Sequence, residues 1–408
     1  MNNKIFNLYN MNVIYMVFSI LIVLSLYTLG NFGFFNIFNI KYEITILLVI
    51  SLFITSFLIL IIDRKVHVVS LFLFYLFLSS LFLDQFNVSY TIKLLLACFV
   101  INSLFFVKMK YIDNIIKSTI VISGVFSLVG IGLFIFYFFN EELSIGLERV
   151  FRSYDKFLDL SNIPFHQKFG FVIEKAETNF LGLEYIRSRS YSSEPSATLP
   201  LFFMVGILAL FYNGFIKYLG VIILFFSIIL IYSGSSILSI IISILFILGS
   251  YFIRSSVQTK SILILFSILS TLLLLAFIDI SLFQNITPAS KITSFPSRLL
   301  PVQEAISSLI LNPFWNTENF DNSFISLFIV FSGVVPLIGI FFMSYFFYKF
   351  FIVAIELYEN NKIFIALLCG LLIQILLFSS GGWTTLPGIV ILALTYRLLE
   401  NKVINNKG

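Results

Sequence analysis

Runs of about 17–25 apolar residues, separated by short polar stretches, recur along almost the whole chain, and that is the length a helix needs to cross ~30 Å of hydrocarbon. Backbone N–H and C=O groups find no water inside a bilayer, so each run must satisfy them within the segment, as a helix does. The pattern predicts an all-α, polytopic integral membrane protein with about twelve spans. They are placed at 13–29, 41–62, 66–83, 91–107, 118–139, 199–213, 218–232, 235–253, 261–283, 323–347, 363–378 and 384–399. Two polar intervals are long. They divide the chain into an N-terminal bundle (1–139), a first long loop (140–198), central spans (199–283), a second long loop (284–322) and C-terminal spans with a short tail (323–408). Neither a short repeat nor the inverted repeat of many transporters is visible.

Charge fixes an expected orientation. With the N-terminus in the cytoplasm, the inner connections carry Arg64 and Lys65; Lys108, Lys110 and Lys117; Lys217; Arg254 and Lys260; Lys349 and Lys362; and Arg397, Lys402 and Lys407. The short outer connections carry almost none, which satisfies the positive-inside rule. Both termini are thus expected in the cytoplasm and both long loops outside. The first span lacks a small-residue cleavage site and reads as a retained helix. A net charge of +5 is accounted for by these lysines and arginines, so no nucleic-acid partner is called for. Cys98 and Cys369 each sit inside an apolar run and read as small core residues, not as a disulfide.

With 59% of residues apolar and 11% charged, groups that can bind an anion or move a proton are confined to the loops. In the first loop, Leu147, Val150, Phe151, Tyr154, Phe157 and Leu158 recur at helical spacing among charged residues, predicting an amphipathic helix on the bilayer surface. That loop ends in Arg187-Ser-Arg189-Ser190-Tyr-Ser-Ser193-Glu194-Pro195-Ser196. Pro195 fits the first turn of a helix and Ser193 its N-cap. Free N–H groups at that helix start, together with Arg187 and Arg189, suit a phosphate or diphosphate. The plainer account is that Glu194 pairs with Arg189 and the serines only cap. In the second loop, Ser297 can cap a helix from Arg298 to Leu311 that Asn312-Pro313 ends, and Asp321-Asn322-Ser323 follows where the chain re-enters the membrane. His166 reads as a solvated or packed histidine. Asp279 reads as cavity-lining or interfacial, and Trp315 and Trp383 as interfacial anchors or sugar-stacking faces.

Arg187, Ser190, Glu194, Pro195 and Ser196 form an R-x-x-S-x-x-x-E-P-S spacing that resembles the outer-loop motif of bacterial O-antigen and capsular-polysaccharide polymerases (Wzy-type) and the related O-antigen ligases. Arg298, Asn312-Pro313 and Asp321-Asn322-Ser323, followed by a span with Gly333 and Gly339, resemble that family's later loop. The similarity runs from about Arg187 to Ile340. Two features depart from it. Ser233-Gly234-Ser235-Ser236 stands where many members have Ser-Arg, and Asp321 stands where ligases have histidine, which favours polymerase over ligase.

The resemblance implies a glycosyltransferase acting outside the bacterial inner membrane. It would pass a growing glycan from its polyprenyl-diphosphate carrier to an incoming lipid-linked repeat unit, with membrane lipid around it and a chain-length regulator as a further partner. That reaction needs a stabilised diphosphate leaving group and a base for the acceptor hydroxyl. Arg187 and Arg298 are assigned to the diphosphate with Arg189 in support, and Asp321 or Glu194 to the base. Ser190, Ser193, Ser196 and Asn322 play supporting roles. Neither loop has an Asp-x-Asp pair or a histidine cluster, so no metal and no cofactor are expected. A ligase and a flippase or exporter of lipid-linked saccharide are the competing activities; the latter calls for charges buried within the spans on both sides of the midplane.

Overall fold

The computed structural model describes residues 2–28, 41–84, 88–139, 172–180, 183–190, 195–230, 244, 256–277, 296–317, 333–358 and 386–407; along both strands, and in the helical turns that open at 195 and 296, this covers the backbone alone. Eleven α-helices lie among these residues: α1 (Asn2–Thr28), α2 (Lys41–Asp63), α3 (Val68–Ser80), α4 (Val88–Phe106), α5 (Met109–Phe139), α6 (Pro195–Ala209), α7 (Phe215–Phe225), α8 (Val257–Phe277), α9 (Pro296–Leu311), α10 (Pro336–Tyr358) and α11 (Leu386–Lys407). Stretches Thr45–Asp63, Met109–Gly132 and Pro336–Glu356 are long and apolar enough to cross a membrane by length and composition. The helical class expected from the apolar runs therefore holds for most described residues and suits a membrane protein. One antiparallel hairpin departs from it, β1 (Val172–Phe180) with β2 (Leu183–Ser190), inside the interval read as a loop. The amphipathic helix expected near 147–158 and the spans expected at 235–253 and 363–378 lie outside the described residues, apart from position 244.

The chain folds into two units that do not follow its order. The first comprises Met1–Asp63, Val107–Ser236 and Leu386–Leu394. In α1, Phe18, Ile22 and Leu26 fall on one face at four-residue spacing and are fully buried, whereas Met16, Ile20 and Leu24 on another face are exposed. That inward stripe packs α1 against α2 and α5. Helices α6 and α7 approach each other closely through small residues. A methyl group on Gly220 would lie 2.6 Å from Ala209 Cβ and 3.0 Å from the Gly206 carbonyl oxygen, so glycine there lets the backbones meet. One end of this unit is polar. Tyr111 donates to Asn12 at 3.1 Å and Tyr15 to Asp63 at 3.3 Å, while Tyr212 donates to Asp113 at 2.7 Å beside the Lys117–Asp113 ion pair. The hairpin lies at the other end, because α6 leads from Pro195, close behind β2, down to the turn holding Tyr212.

The second unit comprises Arg64–Phe106, Ile237–Thr385 and Thr395–Gly408. Its α3 and α4 pack as an antiparallel pair, α10 packs on α3 and α8, and α8 on α9. Leu73, Leu76, Val100, Leu104, Phe347 and Phe350 form its buried core. Two boundaries differ from those expected. Helix α9 starts at Pro296, so Ser297 lies in its first turn and does not cap it, because proline's fixed φ and missing N–H suit the first helical position. Of the span expected at 323–347, residues 323–332 lie outside the described ones; the described part is a turn in which Gly333 has φ +68, a backbone state that ordinary side chains resist, followed by α10 from Pro336.

The α6–α7 contact gives a stability test. Gly220→Leu is expected to lower the melting temperature in detergent, at a cost of about 1–3 kcal/mol from overpacking. Gly132→Ala, with open space around the added methyl, is expected to leave it unchanged or raise it. Equal losses in both variants would rule out this close approach.

Candidate functional site

In the first unit the expected cationic motif lies on a strand that runs toward a helix start. Pairing of β1 with β2 matches Glu174 with Arg187, Ile173 with Ser188 and Val172 with Ser190. Moving one residue along β1 therefore moves two along β2, and Arg189 is the extra residue of a bulge. A bulge breaks the alternation of faces, so the two arginines do not follow simple strand periodicity. Strand β2 lies beside α5, α6 and the wide π-helical turn Phe226–Leu230 that ends α7. Ser190 ends β2, α6 starts at Pro195, and Ser196 falls in its first turn, where backbone N–H groups lack intrahelical acceptors. The helix start expected at Pro195 is thus present. Ser193 and Glu194 lie outside the described residues.

Glu174 was not read as a candidate. It stands directly opposite Arg187 in the register, a position from which cross-strand charge pairs act. The one local signal is Gly182 between the two segments, since Glu, Lys, Ala and Asn make up most of 172–180 and are poor strand formers.

In the second unit Arg298 lies in the first turn of α9. At the far end of that helix the chain is tied down. The Asn312 amide bonds the Ser308 carbonyl at 2.9 Å, the Asn316 side chain donates to Ser308 Oγ at 2.9 Å, and the Asn316 amide donates to the Val334 carbonyl at 2.8 Å. The Asp84 amide donates to Thr317 at 3.0 Å. From α3, one hydroxyl serves both polar groups of a single residue: Tyr75 Oη donates to the Val335 carbonyl at 2.8 Å and accepts from the Val335 amide at 3.0 Å. A methyl group on Gly333 would fall 2.7 Å from that hydroxyl and 2.9 Å from Ser79 Oγ. Positions 316 and 334 are hence hydrogen-bonded neighbours. Asp321 and Asn322, the expected base and its companion, are outside the described residues.

Trp315, expected as an interfacial or stacking residue, is 58% exposed and meets Phe82 edge-on with ring centroids 6.0 Å apart. Cys98 is half-buried and directs its thiol to the Ser70 carbonyl, as a packed residue does. His166, Asp279, Trp383 and Cys369 lie outside the described residues.

The structure therefore brings Arg187, Arg189, Ser190 and Ser196 to one end of the first unit, and places Arg298 on a helix of the second. Comparison with known proteins adds no relative: neither a protein-family model, nor a curated protein, nor a solved structure matches the chain.

The turn before α10 can be probed directly. Tyr75→Phe leaves both polar groups of Val335 without this partner and is expected to cost about 1–3 kcal/mol. Faster hydrogen exchange at Val335, with exchange within α4 unchanged, is the expected signature. Gly333→Ala is expected to destabilise at least as much, through both φ and contact. Wild-type exchange in both variants would remove this turn as a fixed point.

Proposed function

We propose that the chain is a metal-independent glycosyltransferase of the polysaccharide-polymerase kind in the bacterial inner membrane, with about twelve spans and cytoplasmic termini. It transfers a growing glycan from a polyprenyl-diphosphate carrier to the sugar of an incoming lipid-linked repeat unit on the outer face. The observation that carries this proposal is a strand bearing Arg187 and Arg189 that ends just before a helix starting at Pro195. Guanidinium forks and the unpaired N–H groups of a helix start are the two protein devices best matched to a diphosphate.

In this scheme Arg187 and Arg298 neutralise charge on the departing diphosphate and Arg189 assists. Ser190, Ser193, Ser196 and Asn322 complete the polar lining. Asp321 takes the proton of the acceptor hydroxyl, with Glu194 as the alternative base. Glycosyl transfer then breaks the bond from the anomeric carbon to the phosphate oxygen and forms one to the acceptor oxygen. Glu174 stands opposite Arg187 in the strand register. The polar end of the first unit, with Asp63, Asp113 and Lys117, faces the cytoplasm in this scheme, which sets the hairpin outside.

The test is deletion of the gene, followed by complementation and sizing of both surface glycan and lipid-linked intermediates. Loss of long chains with single repeats retained is the expected result. Long polymer persisting on its lipid carrier would instead identify a ligase, and repeat units trapped on the cytoplasmic leaflet a flippase. Arg298→Lys is expected to cut long polymer by roughly 10- to 100-fold, because an ammonium cannot replace a bidentate fork. Near-normal polymer from that variant would remove Arg298 from the diphosphate site.

A further inference from the structure

His67 lies in the connection 64–67 that leads into α3, and several contacts converge on it within the second unit. It is the N-cap of α3, where Nδ1 accepts a hydrogen bond from the Val69 amide at 3.3 Å. An imidazole accepts there only when Nδ1 carries no proton, so the cap requires the neutral ring. The ring stacks on Phe105 of α4 with centroids 3.6 Å apart and planes 6° from parallel. The backbone is held as well: His67 N donates to Asn102 Oδ1 at 2.9 Å, and Asn102 Nδ2 donates to the Lys65 carbonyl at 3.0 Å.

The charged and titratable groups around this ring are mostly cationic. Its own connection supplies Arg64 and Lys65, and α4 presents Asn102 and Phe105, neither of which titrates. From α11 come Arg397, whose positive charge acts on His67, with Tyr396 packed on Phe105 and Glu400 bonded to Arg397 at 3.2 Å. Arg397 also carries a buried Nε–H with no acceptor among the described residues. Asp63, the carboxylate closest in sequence, accepts from Tyr15.

We propose that His67 is a pH-operated latch: uptake of one proton at Nδ1 removes the cap from α3 and loosens the connection 64–67 from α4. The geometry supplies an acceptor that protonation destroys, and the positive charge of Arg397 opposes the charge that protonation adds. Burial, and after it the charge of Arg397, hold the ring well below the ordinary histidine range, at about 4. Since the folded-state value lies below the unfolded one, the unfolded chain binds the extra proton first. The contribution to stability is complete above about pH 6.5 and is lost as pH falls toward about 4.

The experiment follows melting temperature in detergent from about pH 7.5 to about pH 4.5 for wild type, His67→Asn and Arg397→Gln. Asparagine retains an N-cap acceptor and cannot be protonated. The wild type is expected to lose several degrees across this range beyond any loss in His67→Asn. In Arg397→Gln the excess loss is expected to shrink, because the ring's titration moves back toward that of the unfolded chain. Identical pH slopes for wild type and His67→Asn would overturn the latch. Should His67→Asn fail to fold, an NMR titration of His166→Asn, which leaves His67 as the single histidine, reads the ring directly. A midpoint well below that of free histidine supports the latch, and one near about 6.5 overturns it.

Discussion

Every backbone amide and carbonyl that leaves water must find its partner within the protein, and most of this structure answers to that constraint. It explains why the apolar runs appear as helices, and also the behaviour of the few polar side chains within them. Ser19, Ser103, Thr119, Ser227 and Ser261 each turn a hydroxyl back onto a carbonyl one turn earlier, which satisfies these five in an apolar setting. Where the helix is interrupted the same demand reappears. Ahead of α10 the Asn316 amide and the Tyr75 hydroxyl, both from other elements, bond backbone groups of Val334 and Val335.

Helix existence was the most legible property of the sequence, because an apolar run in a polar chain has one economical outcome. Pro195 and Asn312-Pro313 correctly marked a helix start and a helix end, since proline acts through its own ring and needs no distant neighbour. The break at Gly333 was less legible. Apolar residues continue on both sides of it, and the Tyr75 hydroxyl that leaves no room for a side chain at 333 is contributed from far along the chain. The hairpin was missed for a different reason. Charged residues placed its strands among the loops by composition, and Gly182 was the one local signal that pointed the other way.

For the candidate site, the sequence yielded the identity of the cationic groups but not their setting. Arg187 and Arg189 appeared equivalent, two residues apart in a polar stretch, whereas pairing places one opposite a glutamate and makes the other the extra residue of a bulge. Register depends on a partner strand, and a single strand does not encode it. His67 illustrates the same limit. As a lone histidine near a predicted membrane edge it carried no signal, and its cap, its stack and its cationic neighbour come from three different parts of the chain.

The interleaving of the two units constrains how the protein is made. Residues 64–106 leave the ribosome early, yet the rest of their unit is synthesised only from residue 237 onward, and the first unit receives its last segment from 386–394. Neither unit is complete before Leu386 has been synthesised. The α3–α4 pair must wait, part of its inward face uncovered by its own unit, until α10 arrives. A truncation before Leu386 removes residues from both units, so the final helix is a common completion point for assembly.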